Sequence, residues 1–187
     1  MSTPTKRPAL AQALKTADLI HDRARLESAI AAIAVQIDAA LAGEVPVYLT
    51  VMNGGLVFAG ALALAIRSDL EFDYLHASRY RSGTRGHELQ WVKHPNVSLR
   101  GRTVLLVDDI LDEGHTLRAV RDHCVAEGAK RMLIAVLCEK RHGRTVDGIR
   151  ADFVGVEVPD RYVFGFGMDF HEQGRNLPGI YALRETA

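Results

Sequence analysis

Apolar residues recur along this chain at two spacings, and each spacing predicts an element. Leu26, Ile30, Ile33, Ile37 and Leu41 stand three or four apart, the stripe of an amphipathic helix. Asp22 is placed to cap that helix and Gly43 to stop it. Val45 to Met52 reads as a strand, Leu56 to Ile66 as a helix and Leu70 to Arg79 as a strand. Val104-Leu105-Leu106-Val107 is a short continuous apolar run, as in a strand buried on both faces. Thr116 to Gly128 reads as a helix and Arg131 to Cys138 as another apolar strand. Shorter strands follow at Asp152 to Val158, Tyr162 to Phe166 and Ile180 to Leu183. This alternation predicts an α/β fold, a mainly parallel sheet flanked by helices. The short strands would form a small hood subdomain, about 140–183, over the sheet's active edge. Residues 1–17 hold Lys6, Arg7 and Lys15 and no acid, and read as a flexible arm; 18–187 read as one domain.

The polar residues that interrupt the pattern carry the chemistry. The apolar run at Val104 ends in Asp108-Asp109, and Asp112, Glu113, Gly114, His115 and Thr116 follow before the next helix. In open α/β sheets ligands bind where strands hand over to helices. Backbone N–H groups near Gly114 would face a concavity at a helix N-terminus, which suits a phosphate. Carboxylates repel phosphate, so Asp108 and Asp109 suit sugar hydroxyls or Mg²⁺, which takes oxygen ligands. The ligand implied is a phosphorylated sugar. Two other readings compete. Acids after a buried strand often only cap the next helix. A receiver domain also ends a strand in paired acids, but too few residues follow Asp109 for one.

A second strand–loop–helix junction carries Asn53-Gly54-Gly55, which alone is only a turn. Tyr80 to Arg100 is long, polar and irregular, so it reads either as a mobile lid or as a β-hairpin whose Trp91 packs on the sheet. Glu139, Lys140, Arg141 and His142 form a charge cluster of the kind usually found in a solvated loop, with Lys140 at a strand's C-terminal end.

Composition narrows the picture without changing it. The chain has 187 residues, 25% of them charged, and a formal net charge of zero, which argues against nucleic acid as a partner. No apolar run approaches the roughly 18 residues of a membrane span, so no membrane partner is expected. Cys124 and Cys138 lie in predicted core elements and read as small buried hydrophobes. Nothing suggests secretion, and a cytoplasmic protein is expected.

The stretch from Val104 to Thr116 resembles the phosphoribosyl-diphosphate (PRPP) motif of type I phosphoribosyltransferases. The resemblance continues from about Asp18 to Leu183. Asp152-Phe153-Val154-Gly155-Val156-Glu157-Val158-Pro159-Asp160-Arg161-Tyr162-Val163-Phe164-Gly165, then Met168-Asp169 and Arg175, is similar to the purine-binding hood of the hypoxanthine–guanine branch. The resemblance implies that Asp108 and Asp109 bind ribose hydroxyls, directly or through Mg²⁺. It implies that the backbone from Asp112 to Thr116, including Glu113, Gly114 and His115, with the Thr116 hydroxyl, holds the 5′-phosphate. Asp112 would handle the proton on N7 of a 6-oxopurine and Lys140 would donate to its 6-oxo group. Tyr162 would stack on the ring and the Val163 backbone would meet its other edge. Asp169 would ligate Mg²⁺, while Asn53, Gly54 and Arg175 would meet pyrophosphate. A cis peptide is implied before Asn53. Ser78 and Tyr80 resemble the hinge of a lid spanning 80–100.

The activity implied is purine salvage: hypoxanthine or guanine plus PRPP gives IMP or GMP plus pyrophosphate. A xanthine-preferring enzyme and a non-catalytic PRPP- or nucleotide-sensing regulator are the alternatives. The family also implies a homodimer or homotetramer. Three positions depart from the family pattern. Position 53 is often Lys and here is Asn53; position 113 is often Thr or Ser and here is Glu113; position 115, here His115, varies more.

Overall fold

The central strand is β5 (Thr103–Leu111), and its burial explains its sequence. Side chains from Thr103 to Asp109 are all buried, so both faces of the strand meet protein. In this computed structural model, which describes residues 9–79 and 89–184, β5 lies between β2 (Val47–Met52) and β6 (Arg131–Lys140). β3 (Glu71–Arg79) flanks β2, and β7 (Phe153–Val158) flanks β6. All these neighbours are parallel. β4 (Leu89–Lys93) adds one antiparallel edge strand beside β3.

Helix α2 (Arg23–Leu41) buries the stripe read from the sequence. Its cap is Asp22, whose carboxylate accepts from the Arg25 N–H at 2.8 Å. With α3 (Leu56–Ala65) it covers one face of the sheet. Helix α4 (His115–Ala126) belongs to a second apolar cluster on the other face. A three-stranded antiparallel sheet stands apart: β8 (Val163–Phe164), β9 (Ile180–Ala182) and β1 (Asp18–His21), in the order β1-β9-β8.

Three details differ from the sequence reading. β7 is not in the hood; it pairs in parallel with β6 and extends the main sheet, with Phe153, Val156 and Val158 in the core that α2 covers. The hood sheet instead recruits β1 from the opposite end of the chain. The arm before residue 18 is not wholly loose, since Leu10–Leu14 forms a short helix, α1. A methyl added at Gly174 would meet the Leu10 side chain at 3.2 Å, so this helix rests on the hood.

Trp91 belongs to the hairpin reading, not to an open loop. It pairs with Ala77 across the β3–β4 ladder, packs on the second apolar cluster, and stacks on His94 with ring centroids 4.7 Å apart. The lid expected over 80–100 therefore includes a strand. Tyr80 lies outside the described residues, and Ser78 sits in β3 with its backbone paired to Gln90.

Asp73 fastens the return from this hairpin. Its carboxylate accepts from the backbone N–H of Asn96 (2.6 Å) and Val97 (2.9 Å) and from the Lys93 ammonium (3.2 Å). Burial alone would raise its pKa, but these donors and the Tyr74 N–H outweigh burial and hold it below the usual carboxylate range. A lowered folded-state pKa stabilises above the unfolded value of about 3.9, and the gain fades as pH falls through the folded value. Asp73→Ala should therefore lose about 2–3 kcal/mol at neutral pH, for charged hydrogen bonds on a carboxylate only 6% exposed. The gap to wild type in denaturant melts should close as pH drops below about 4. A gap independent of pH would show that the charge is not what stabilises.

Candidate active site

The sheet order places a topological switch between β2 and β5, and a cavity of about 530 Å³ opens at their C-terminal ends. Of the residues singled out in the sequence, Asn53, Gly54, Asp108, Asp109, Asp112, Glu113, Gly114, His115, Thr116 and Arg175 line it. The other expected residues reach the same region through partners. Lys140 donates to Asp112, Asp169 pairs with Arg175, and the Tyr162 hydroxyl donates to the Asp169 carbonyl at 3.1 Å. Val163 is buried in β8, with its backbone in the ladder to Ala182.

The loop after β2 is shaped for close approach. The Met52–Asn53 peptide is cis. A methyl added at Gly54 would lie 2.0 Å from Asp109 Oδ2, so only glycine fits beside that carboxylate. On the facing loop Gly114 has φ +82°, a turn that favours glycine, and α4 starts immediately after it with no side chain capping it. The first-turn N–H groups of α4 and the cavity thus share one end of the helix. The Glu113 carboxylate is turned toward His115, 3.6 Å from its Nε2.

Asp108 and Asp109 lie within β5, not beyond it, because the ladder to β6 continues to Leu111. Both are 8% exposed. Burial and the neighbouring Asp109 charge push Asp108 well above the usual carboxylate range. Burial raises Asp109 too, against the opposing pull of its hydrogen bond with Asp108 and of the Arg175 guanidinium. Arg175 also donates to the Gly167 carbonyl at 2.8 Å and lies 2.9 Å from Asp169 Oδ1.

Asp112 is opposite in character. Its Oδ2 accepts from Lys140 Nζ at 2.7 Å, and its Oδ1 lies 2.7 Å from His142 Nε2. Burial raises its pKa, but the hydrogen bonds from Lys140 and His142 outweigh that and hold it low. His142 was not singled out by the sequence. The sequence alone puts it in a solvated charge cluster, yet its side chain is 3% exposed. The one signal available was its position two residues beyond Lys140, at a strand's active end.

Among the described residues, two groups could hold a divalent metal. Oxygen atoms of Asp112 and Asp160 and a ring nitrogen of His142 all lie within 4.8 Å of one another. These groups are already paired, Asp112 with Lys140 and Asp160 with both terminal guanidinium nitrogens of Arg144. The buried pair Asp108–Asp109 fits Mg²⁺ better: its donors are oxygens, and a cation would offset the burial of two like charges. Asp169 faces Arg175 through Oδ1 and accepts from the Glu172 N–H through Oδ2.

Gly54→Ala tests the fit of the loop against Asp109. The added methyl should displace the carboxylate and cost about 1–3 kcal/mol, as overpacking does. Denaturant unfolding within about 0.5 kcal/mol of wild type, the range of an ordinary surface substitution, would show a looser seat.

A family model for the phosphoribosyl transferase domain matches residues 16–173. A curated hypoxanthine-guanine phosphoribosyltransferase of Streptococcus thermophilus is 37% identical over 145 residues, spanning 77% of this chain and 80% of its own. The protein of the same name from Bacillus subtilis is 39% identical over 140 residues, spanning 74% and 77%. The crystal structure of a hypoxanthine-guanine phosphoribosyltransferase from Bacillus anthracis superposes with a TM-score of 0.82 at 31% identity, covering 90% of this chain and 99% of that one. The parallel sheet, the acid pair at its switch point and these matches agree: the chain belongs to the phosphoribosyl transferase family of enzymes.

Proposed function

We propose that this enzyme is a purine-salvage phosphoribosyltransferase that converts hypoxanthine or guanine and PRPP to IMP or GMP and pyrophosphate. The observation that carries the reading is the Asp112–Lys140 ion pair beside the acid-lined cavity. It sets a proton acceptor and a hydrogen-bond donor side by side, as a 6-oxopurine requires at N7 and O6.

The bond from C1′ to pyrophosphate breaks as purine N9 attacks C1′. Asp112, ionised because Lys140 and His142 hold its pKa low, takes the N7 proton. Asp108 and Asp109 hold the ribose hydroxyls. The first turn of α4 and the Thr116 hydroxyl hold the 5′-phosphate. Arg175 and the Asn53-Gly54 backbone meet the departing pyrophosphate. Mg²⁺, when bound, neutralises the leaving oxygens. Asp108 and Asp109 would hold it, with Asp169 as a further ligand. Tyr162 is half-exposed and stacked over His171, and it offers a face to the purine while the Val163 backbone meets the far edge.

Glu113 turned toward His115 supports phosphate binding through the loop amides despite the unusual carboxylate. We also propose a cytoplasmic homodimer or homotetramer. Among the described residues no helix is long and apolar enough to cross a membrane, and both cysteines are free and buried. Neither the xanthine-preferring nor the regulator reading gains a specific observation.

The test is nucleotide formation from PRPP and Mg²⁺ with hypoxanthine, guanine, xanthine and adenine in turn. Hypoxanthine and guanine should react, and removal of Mg²⁺ by a chelator should stop the reaction. Asp112→Asn should lower kcat by roughly 10²–10⁴-fold with little change in PRPP binding. A near wild-type kcat would remove Asp112 from the chemistry.

Lys140 sets the choice of purine. Its ammonium has three donors and no acceptor, and adenine's 6-amino group offers it nothing. Asp112 already satisfies one donor, so a mismatch costs less than a wholly unpaired ammonium, for which about 10⁴-fold is typical. Adenine should be at least about 10²-fold worse than hypoxanthine in kcat/KM, and Lys140→Met should narrow that gap. Adenine turnover within tenfold of hypoxanthine by the wild-type protein would sink the assignment.

A further inference from the structure

The imidazole of His142 is fixed at both nitrogens. Nδ1 lies 3.1 Å from the backbone N of Arg144, and Nε2 lies 2.7 Å from Asp112 Oδ1. A backbone N–H can only donate, so Nδ1 presents its lone pair to Arg144. A neutral imidazole carries one N–H, so the proton is on Nε2 and points at Asp112. The same tautomer argues against a metal between His142, Asp112 and Asp160. Binding one through Nε2 would move the proton to Nδ1, against the Arg144 N–H.

We propose that His142 is a positioning residue for purine transfer, donating from Nε2 to Asp112 so that this carboxylate stays ionised and aimed at the purine's N7 proton. The inference rests on the reading of Asp112 as the proton acceptor. Its advantage lies in what Lys140 has to do. Lys140 holds Oδ2 in the structure and is also the group assigned to the 6-oxo oxygen. When Lys140 turns to the purine, Asp112 loses one donor and its pKa rises, which makes it a stronger base. Without His142 the carboxylate would then be free to rotate. With His142 one oxygen remains fixed, and each oxygen keeps a second lone pair for substrate. His142 makes no contact with the reacting atoms in this account.

The charged groups facing His142 are Asp112 from the loop after β5, Lys140 at the end of β6, and Asp160 between β7 and β8. Asp160 is held by the Arg144 guanidinium at 2.6 and 2.7 Å. Any change at position 142 must be read against all four.

Two polar substitutions separate positioning from mere packing. His142→Gln can set an amide nitrogen where Nε2 stood and still donate to Asp112. His142→Asn keeps an acceptor for the Arg144 N–H but falls short of Asp112. The experiment follows the Asp112 carboxyl carbon by NMR across pH, and measures kcat and kcat/KM for hypoxanthine over the same range. In His142→Asn the Asp112 pKa should rise, because a donor to the charged form is lost. The acid limb of kcat/KM should move up by about one pH unit, and kcat at neutral pH should fall about tenfold, with the KM for PRPP within about twofold. His142→Gln should stay within about threefold of wild type. An unchanged Asp112 titration and pH profile in His142→Asn overturns the proposal, and so does an equal loss in both variants. A wild-type protein that forms no nucleotide would overturn the enzymatic reading instead, and the carboxyl titration would still decide whether His142 acts on Asp112.

Discussion

The constraint on which the site depends is the burial of two adjacent carboxylates at the end of the central strand. Asp108 and Asp109 sit where an apolar strand would place hydrophobes, and both are 8% exposed. Burying one ionised carboxylate is costly, and two neighbours repel as well. The surroundings are fitted to that cost. The Asp109 N–H donates to Asp108 Oδ1 at 2.9 Å, Arg175 supplies positive charge near Asp109, and Gly54 leaves the room that Asp109 fills. The hood reaches this point as well: a methyl added at Gly167 would lie 2.2 Å from the Gly54 carbonyl oxygen and 3.7 Å from the Asp109 Cβ.

Three residues farther on, the surroundings shift Asp112 in the opposite direction and hold its pKa low. The strand carries the first two acids into the core, and the loop releases the third toward Lys140 and His142. Carboxylates of one sequence motif are thereby pushed apart in pKa, which suits them to different tasks. The cause is the end of strand pairing at Leu111, since beyond it the backbone no longer follows the sheet.

Much of this was legible in the sequence because it depends on local pattern. The α2 stripe, the Asp22 cap, the runs forming β2, β5 and β6, and the acids closing β5 follow from spacing and burial alone. Asp112 to Thr116 stand out from the strand–loop–helix junction after β5, whereas Asn53-Gly54 alone reads as a turn and joins the site only through the family resemblance. The misses involve partners distant in sequence. His142 reads as one polar residue among four until β5 and β6 are set side by side. β7 looks like another short hood strand until its pairing with β6 is known. Trp91 was ambiguous because β4 is short, and its partners, Ala77, His94 and His123, come from three separate segments.

The pairing of β1 with β9 bears on how the enzyme is made. Asp18 in β1 accepts from Arg161 and from Arg184, which lies 166 residues away in sequence. On a ribosome the residues of β1 emerge early and wait for a partner while the whole parallel sheet is synthesised. The sheet can gather around β5 without them. The hood closes only after β8 and β9 have left the exit tunnel. Pairings of such long sequence separation carry the largest loop-closure cost, so the hood is expected to close after the sheet has formed around β5.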